Sequence, residues 1–184
     1  MAKTAAELIS ELKKSEVYQA KKQAQGRQFS NLEEMYAIDQ KQLVKELNQA
    51  GFPVRSVWDF VNAENDYAGA VPILIKHLKI KHHFKILAGI ARSLAIAELS
   101  NNDELWNLLV DLYSKTPSNA AIKIAEERGA QEAIAVALES LAIESRVDSL
   151  KKLIDKNPEG DGIDWLQDKL KTFNQINSHC KGVD

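Results

Sequence analysis

Three histidines and five basic side chains crowd into one short stretch of this chain. His77, His82 and His83 lie among Lys76, Lys79, Lys81, Lys85 and Arg92, and no Asp or Glu occurs from Tyr67 through Ala97. Such a cluster supports two chemistries. Cations gathered at one turn form an anion site for phosphate, nucleic acid or an acidic protein surface. Imidazoles can ligate zinc, but these three have no Cys or carboxylate nearby in sequence to complete a tetrahedron, so no metal is expected. The plainer alternative is a solvated turn whose cations offset the negative carboxyl end of the preceding helix.

Other reactive groups are less promising. Cys180 stands alone near the carboxyl end, with only His179 beside it. The acid pairs Glu126 and Glu127, and Asp161 and Asp164, read as exposed helix positions and caps rather than as carboxylates held in a pocket. No phosphate-binding glycine loop, H-E-x-x-H or G-x-S-x-G is present. No catalytic residue and no cofactor are expected. The residues expected to contact a partner are Lys81, His82, His83, Lys85 and Arg92.

The elements that position the basic cluster are helical. Val71, Leu74, Ile75 and Leu78 follow i, i+3, i+4, i+7, one face of a helix. After the turn, Ile86, Leu87, Ile90 and Leu94 supply a second face, and Ala88, Gly89, Ala91 and Ala95 between them permit close helix contacts. Residues 67–97 therefore predict a helical hairpin with neighbours on both sides. The pattern recurs in Leu105, Leu108, Leu109 and Leu112 after an Asn102 cap. The sequence LESLAI at 138–143 echoes ARSLAI at 91–96 with an offset of 47 residues, within the range of two-helix solenoid repeats. That offset places Lys85 opposite Glu132 and Arg92 opposite Glu139, where stacked helices would pair them.

Around this centre, Thr4 is expected to cap a helix with Leu8, Leu12, Val17 and Tyr18, ended by Gly26. Ser30 and Glu33 have capping-box spacing ahead of Leu32, Met35, Tyr36, Leu43, Val44 and Leu47, a helix terminated by Gly51. Ser56 opens a short helix in which Trp58 is expected as a core anchor. Thr116 and Pro117 predict an added helical segment up to Gly129. Ser145 and Asp148 predict the cap of a further helix holding Val147, Leu150, Leu153 and Ile154. Asp161 predicts the cap of a last one with Ile163, Leu166, Leu170 and Phe173, leaving Asn177 to Asp184 frayed.

At 184 residues and a net charge of −2, the chain suits one domain with a sizeable core and lacks a global field for a polyanion. No apolar run reaches signal-peptide or membrane-span length, and the lone cysteine favours a reducing compartment, so a cytoplasmic protein without membrane contact is expected.

Pro72, Leu74 and Leu78, and Phe84-Lys85 followed by Ala88 and Ala91, resemble the proline-leucine pattern and second-helix opening of the HEAT-like α-solenoid family over 67–157. The turn lacks the family's aspartate, and Lys85 stands in place of its arginine. The resemblance implies an all-α, short, irregular stack of antiparallel hairpins: an N-terminal helix at 1–29, hairpins at 30–157, and a capping helix and tail at 158–184. It also implies a scaffold that holds partners on a continuous surface. The expected function is a non-enzymatic module binding one protein partner, as an adaptor or as an inhibitor of the immunity-protein type. The alternatives are a nucleic-acid-binding protein using the basic turn 76–92 with Trp106 or Trp58, and an enzyme with a site between hairpins.

Overall fold

A computed structural model describes residues 4–6, 9, 13, 15–61 and 67–180, and every regular element among them is helical. The chain divides into two compact units, Met1–Ile38 and Asp39–Asp184.

The first unit is dominated by helix α1, Glu16–Asp39, whose final residue belongs to the second unit. Gly26 does not end this helix, and Ser30 lies inside it rather than capping a new one. A glycine within a helix costs only about 1 kcal/mol relative to alanine. The Gln, Glu, Lys, Leu and Ala residues around it favour continuation. Leu8 and Leu12 lie outside the described residues.

In the second unit, α2 (Lys41–Gln49) buries Leu43 and Leu47 and ends where expected. Gly51 adopts φ of 92°, and the Phe52 N–H donates to the Leu47 carbonyl at 3.0 Å, closing the last turn. Ser56 then opens a 3₁₀ turn, Val57–Phe60, with Asp59 completing a capping box. Gln40 between α1 and α2 fastens it, its side-chain oxygen accepting from Ser56 Oγ at 3.1 Å and Val57 N at 3.2 Å. Val57 and Phe60 are the buried anchors here. Trp58, expected in that role, is only partly buried and carries Lys85 Nζ 4.6 Å above its ring.

The two predicted central helices are present as α3 (Val71–Leu78) and α4 (Phe84–Ser93). Val71, Leu74 and Leu78 are buried on α3, as are Ile86, Leu87 and Ile90 on α4, with Leu94 just beyond its end. Each large apolar side chain buried this way contributes about 1.5–3 kcal/mol. Then follow α5 (Asp103–Lys115), α6 (Ala130–Leu141), α7 (Val147–Lys156) and α8 (Ile163–Cys180). The core lies where α4 packs on α6, and α6 also meets α5 and α8. Ala130, Ala133, Ala135 and Ala137 let α6 be approached from several sides, while Ile134, Leu138 and Leu141 fill the space.

The 47-residue recurrence is structural. The 3₁₀ turn Ala97–Leu99 follows α4 and the 3₁₀ turn Glu144–Arg146 follows α6, each closed by a bond to the carbonyl of the preceding isoleucine, Ile96 or Ile143. The second turn displaces the predicted cap, so that Ser145 does not cap α7, and Arg146 stands at the cap position without a side-chain capping bond. Arg146 is buried. It donates to the Leu141 carbonyl at 3.1 Å and to Asp103 at 2.8 Å, with its guanidinium 4.9 Å from the Trp106 ring centre.

Residues 116–129 hold a single 3₁₀ turn, Ala125–Glu127, instead of the predicted helix. Side-chain bonds claim the backbone groups that a helix would have used. Asn119 N–H donates to Asp161 Oδ2 at 2.6 Å, Asn119 Oδ1 accepts from Gly129 N at 2.6 Å, and Arg128 donates to the Ile122 carbonyl. Gly129, at φ of 95°, makes the left-handed entry to α6. Buried Gln131 donates to the Tyr113 and Thr116 carbonyls and accepts from Asp161 N–H, while Tyr113 Oη donates to the Asp161 carbonyl at 3.0 Å. Asp161 therefore serves this corner and does not cap α8. The last helix continues through Cys180, beyond the fraying point expected at Asn177.

Candidate functional site

The carboxyl end of α3, the turn to α4 and the start of α4 form one wall of an open cleft of ≈ 950 Å³. Leu112, Lys115, Thr116 and Pro117, at the end of α5, form the other, with Asp39 and Glu127 also lining it. The floor is apolar, supplied by Leu78, Phe84, Leu87 and Leu112. Pro72 in the first turn of α3 and the buried small residues of α4 fix these helices, and the turn between them carries Lys79, Ile80, Lys81, His82 and His83 into the cleft.

Of the five residues expected to contact a partner, the structure brings Lys81, His82 and His83 to the cleft. Lys81 is exposed and forms no ion pair among the described residues. His83 Nδ1 lies 3.1 Å from Glu127 Oε1. The His82 side chain is only 4% exposed, with Nδ1 3.2 Å from Asp39 Oδ2, whose same oxygen accepts the His83 backbone N–H at 2.9 Å. Lys85 and Arg92 are outside the cleft. Lys85 stacks on Trp58, and Arg92 reaches Glu132 at 3.7 Å. The pairings drawn from the 47-residue shift are thus replaced: Glu132 meets Arg92, and Glu139 meets Lys169 at 3.4 Å. Long side chains reach across a helix contact to the nearest opposite charge, which repeat register alone does not specify.

Behind the cleft, His77 is 1% exposed and sits on the buried face of α3 beside Leu74 and Leu78. Its Nδ1 lies 3.1 Å from His82 Nε2, with the rings stacked at 5.3 Å between centres and 28° between planes. Its Nε2 lies 3.4 Å from Glu46 Oε2, an ion contact too loose for a well-formed hydrogen bond. Burial lowers the His77 pKa, Glu46 opposes that, and the His82 ring adds to the lowering. Glu46 accepts from Lys76 Nζ at 2.8 Å and from Gln42, and these bonds hold its pKa down at about 2. Two carboxylates, Asp39 and Glu46, thus bracket two buried imidazoles. Among the described residues no three His, Cys, Asp or Glu side chains gather into a metal site.

Sequence reasoning placed His82 and His83 among the partner-contact residues, named His77 only as part of the basic cluster, and did not reach Asp39 or Glu46. A signal existed for His77, which stands at i+3 from Leu74 and beside Leu78 on the apolar stripe. None existed for the carboxylates, which come from 43 residues and 31 residues away in the chain. Trp106, considered as a base-stacking residue, is buried and donates from Nε1 to Ser149 Oγ at 3.1 Å. No described helix is long and apolar enough to cross a membrane. No family model, curated protein or solved structure matches this chain, and its function is to be argued from the geometry of the cleft.

Proposed function

We propose that this chain is a non-enzymatic interaction module, a short and irregular HEAT-like stack, that takes a segment of one protein partner in the cleft between the 79–83 turn and the 115–117 corner. One observation carries this reading: the floor is apolar, its histidines are engaged by Asp39 and Glu127, and Lys81 stands exposed at the rim without an ion pair among the described residues. A partner segment that sets an apolar side chain on Leu87 and Leu112 and an acidic one against Lys81 fits that arrangement. Adaptors and inhibitors of the immunity type both work through such contacts. The recurrence of 3₁₀ turns 47 residues apart supports successive hairpins, α3 with α4 and α5 with α6.

The test is capture from native-host lysate with the full chain, a Lys81→Glu variant and a Lys151→Glu control away from the cleft, read by mass spectrometry. One protein retained by the first and third baits and lost from the second is the expected result. Retention by all three, or capture abolished by nuclease, would refute the reading.

A further inference from the structure

Helix α1 is long for what it buries. It runs 24 residues, about 36 Å, yet among its described residues only Leu32 is buried. Val17, Met35 and Ile38 are 79%, 42% and 66% exposed, and Ala20, Ala24 and Asn31 are exposed as well. These six positions share one face. At 3.6 residues per turn they fall within an arc of about 60°, with Leu32 outside it. Their successive spacings are 3, 4, 7, 4 and 3, which read the same from either end. The centre lies between Arg27 and Gln28, so a second α1 running the opposite way sets Val17 level with Ile38, Ala20 with Met35 and Ala24 with Asn31. Charge follows the same reflection. Between Glu16 and the centre α1 carries Lys21, Lys22 and Arg27 and no further acid, and beyond the centre it carries Glu33, Glu34 and Asp39 and no base. Within one helix this order gains nothing, because the helix dipole favours acids near the amino end and bases near the carboxyl end. Between antiparallel copies it sets Lys21 and Lys22 level with Glu34 and Glu33, whereas parallel copies would set like charges side by side.

We propose that α1 is a homodimerisation surface, on which two copies of the chain pair antiparallel along this face. The alanines let the two backbones approach closely, and Val17, Met35 and Ile38 close the seam at both ends. Asn31 within the seam is the kind of polar residue that fixes register and orientation at a cost in stability. A seam with so few large side chains gives a reversible association of about micromolar strength, independent of what occupies the cleft.

Sedimentation of the full chain from about 1 µM to about 300 µM should show a monomer–dimer equilibrium. Lys21→Glu with Lys22→Glu, and separately Glu33→Lys with Glu34→Lys, should each give a monomer of unchanged helix content by circular dichroism. An equimolar mixture of these two variants should form a heterodimer, because each then offers the charge the other lacks. Disulfide trapping fixes the direction. In a Cys180→Ser background, Ala24→Cys with Asn31→Cys should cross-link two chains on oxidation, because seven helical residues place these positions about 10.5 Å apart within one chain, beyond the reach of a disulfide. Ala24→Cys alone should not cross-link, since Asn31 of the second copy faces it. A chain monomeric throughout that range, charge variants that associate like the wild type, a mixture without heterodimer, or trapping by Ala24→Cys alone would each overturn the proposal.

Discussion

Adding a single methyl group at Gly89 should destabilise the second unit, although the same change strengthens most helices. A Cβ there would lie 2.5 Å from Val57 Cγ1 and 3.1 Å from Trp58 Nε1. Neither neighbour yields cheaply, because the 57–60 turn is fixed by its capping box and by Gln40, and the Val57 carbonyl accepts from Ser93 Oγ at 3.3 Å. Overpacking of this kind costs about 1–3 kcal/mol, while replacing a helix-interior glycine by alanine returns about 1 kcal/mol. At 2.5 Å the clash belongs to the upper part of that range, about 2–3 kcal/mol, so Gly89→Ala should lose about 1–2 kcal/mol net, seen as a lower urea midpoint with an unchanged slope in tryptophan fluorescence. Val57→Ala removes the obstructing Cγ1, so the double variant should lose about 1 kcal/mol less than the sum of the two single losses. A neutral or stabilising Gly89→Ala, or strictly additive losses, would refute the argument that α4 needs glycine to admit this turn.

Stability should depend on pH through His77, because burial first of all lowers its pKa, so that the unfolded chain takes up this proton before the folded one. The contribution is fully present above the free-imidazole range near about pH 6.5 and is lost as pH drops through it, by up to about 1.4 kcal/mol per unit, because the buried folded His77 resists the proton that the unfolded chain accepts. Urea midpoints against pH should trace this loss, and His77→Gln should flatten it. A further loss should follow as pH falls from 4.5 toward about 2, where Glu46 takes up its proton in the unfolded and then the folded chain. Arg146→Lys should cost about 1–3 kcal/mol in the same assay, because an ammonium cannot reach Leu141 and Asp103 together while lying on Trp106. Gly160→Ala should destabilise by forcing Cβ onto Tyr113 Oη, and Tyr113→Phe should relieve part of that loss while itself costing about 1 kcal/mol. In the wild type, burial and nearby Asp161 push the Tyr113 phenol up to about 12, so ultraviolet titration should find it un-ionised where exposed tyrosines have titrated.

The helices that carry the core were legible because their apolar residues keep helical spacing without interruption. Leu74 and Leu78 on α3 and Ile86 and Ile90 on α4 sit where that spacing put them. On α5 the buried set shifts to Leu105, Trp106, Leu109 and Tyr113, leaving Leu108 and Leu112 half-exposed, since α7 and the 160–162 corner approach from a slightly rotated direction. Caps were the weakest inference. Ser30, Ser145 and Asp161 have capping side chains, but a helix that continues, a 3₁₀ turn and a distant N–H each used the position otherwise. Local spacing states what a side chain can bond, and long-range packing decides which bond forms. The basic turn was visible at once, whereas its histidine pair depends on Asp39 and Glu46, brought close only by the packing of α2 on α3.

The corner around Asp161 bears on the order of assembly. Its bonds join Tyr113 and Asn119 to a residue more than forty positions later, so the 116–129 connection owes part of its order to the α7–α8 junction. Contacts of that sequence separation carry a loop-closure cost that local turns do not, so substitutions at Asp161 should slow refolding less than they speed unfolding if the corner closes late. The Pro117 end of the cleft is therefore steadied by Asp161, which does not line it, through Gln131 and its bond to Thr116.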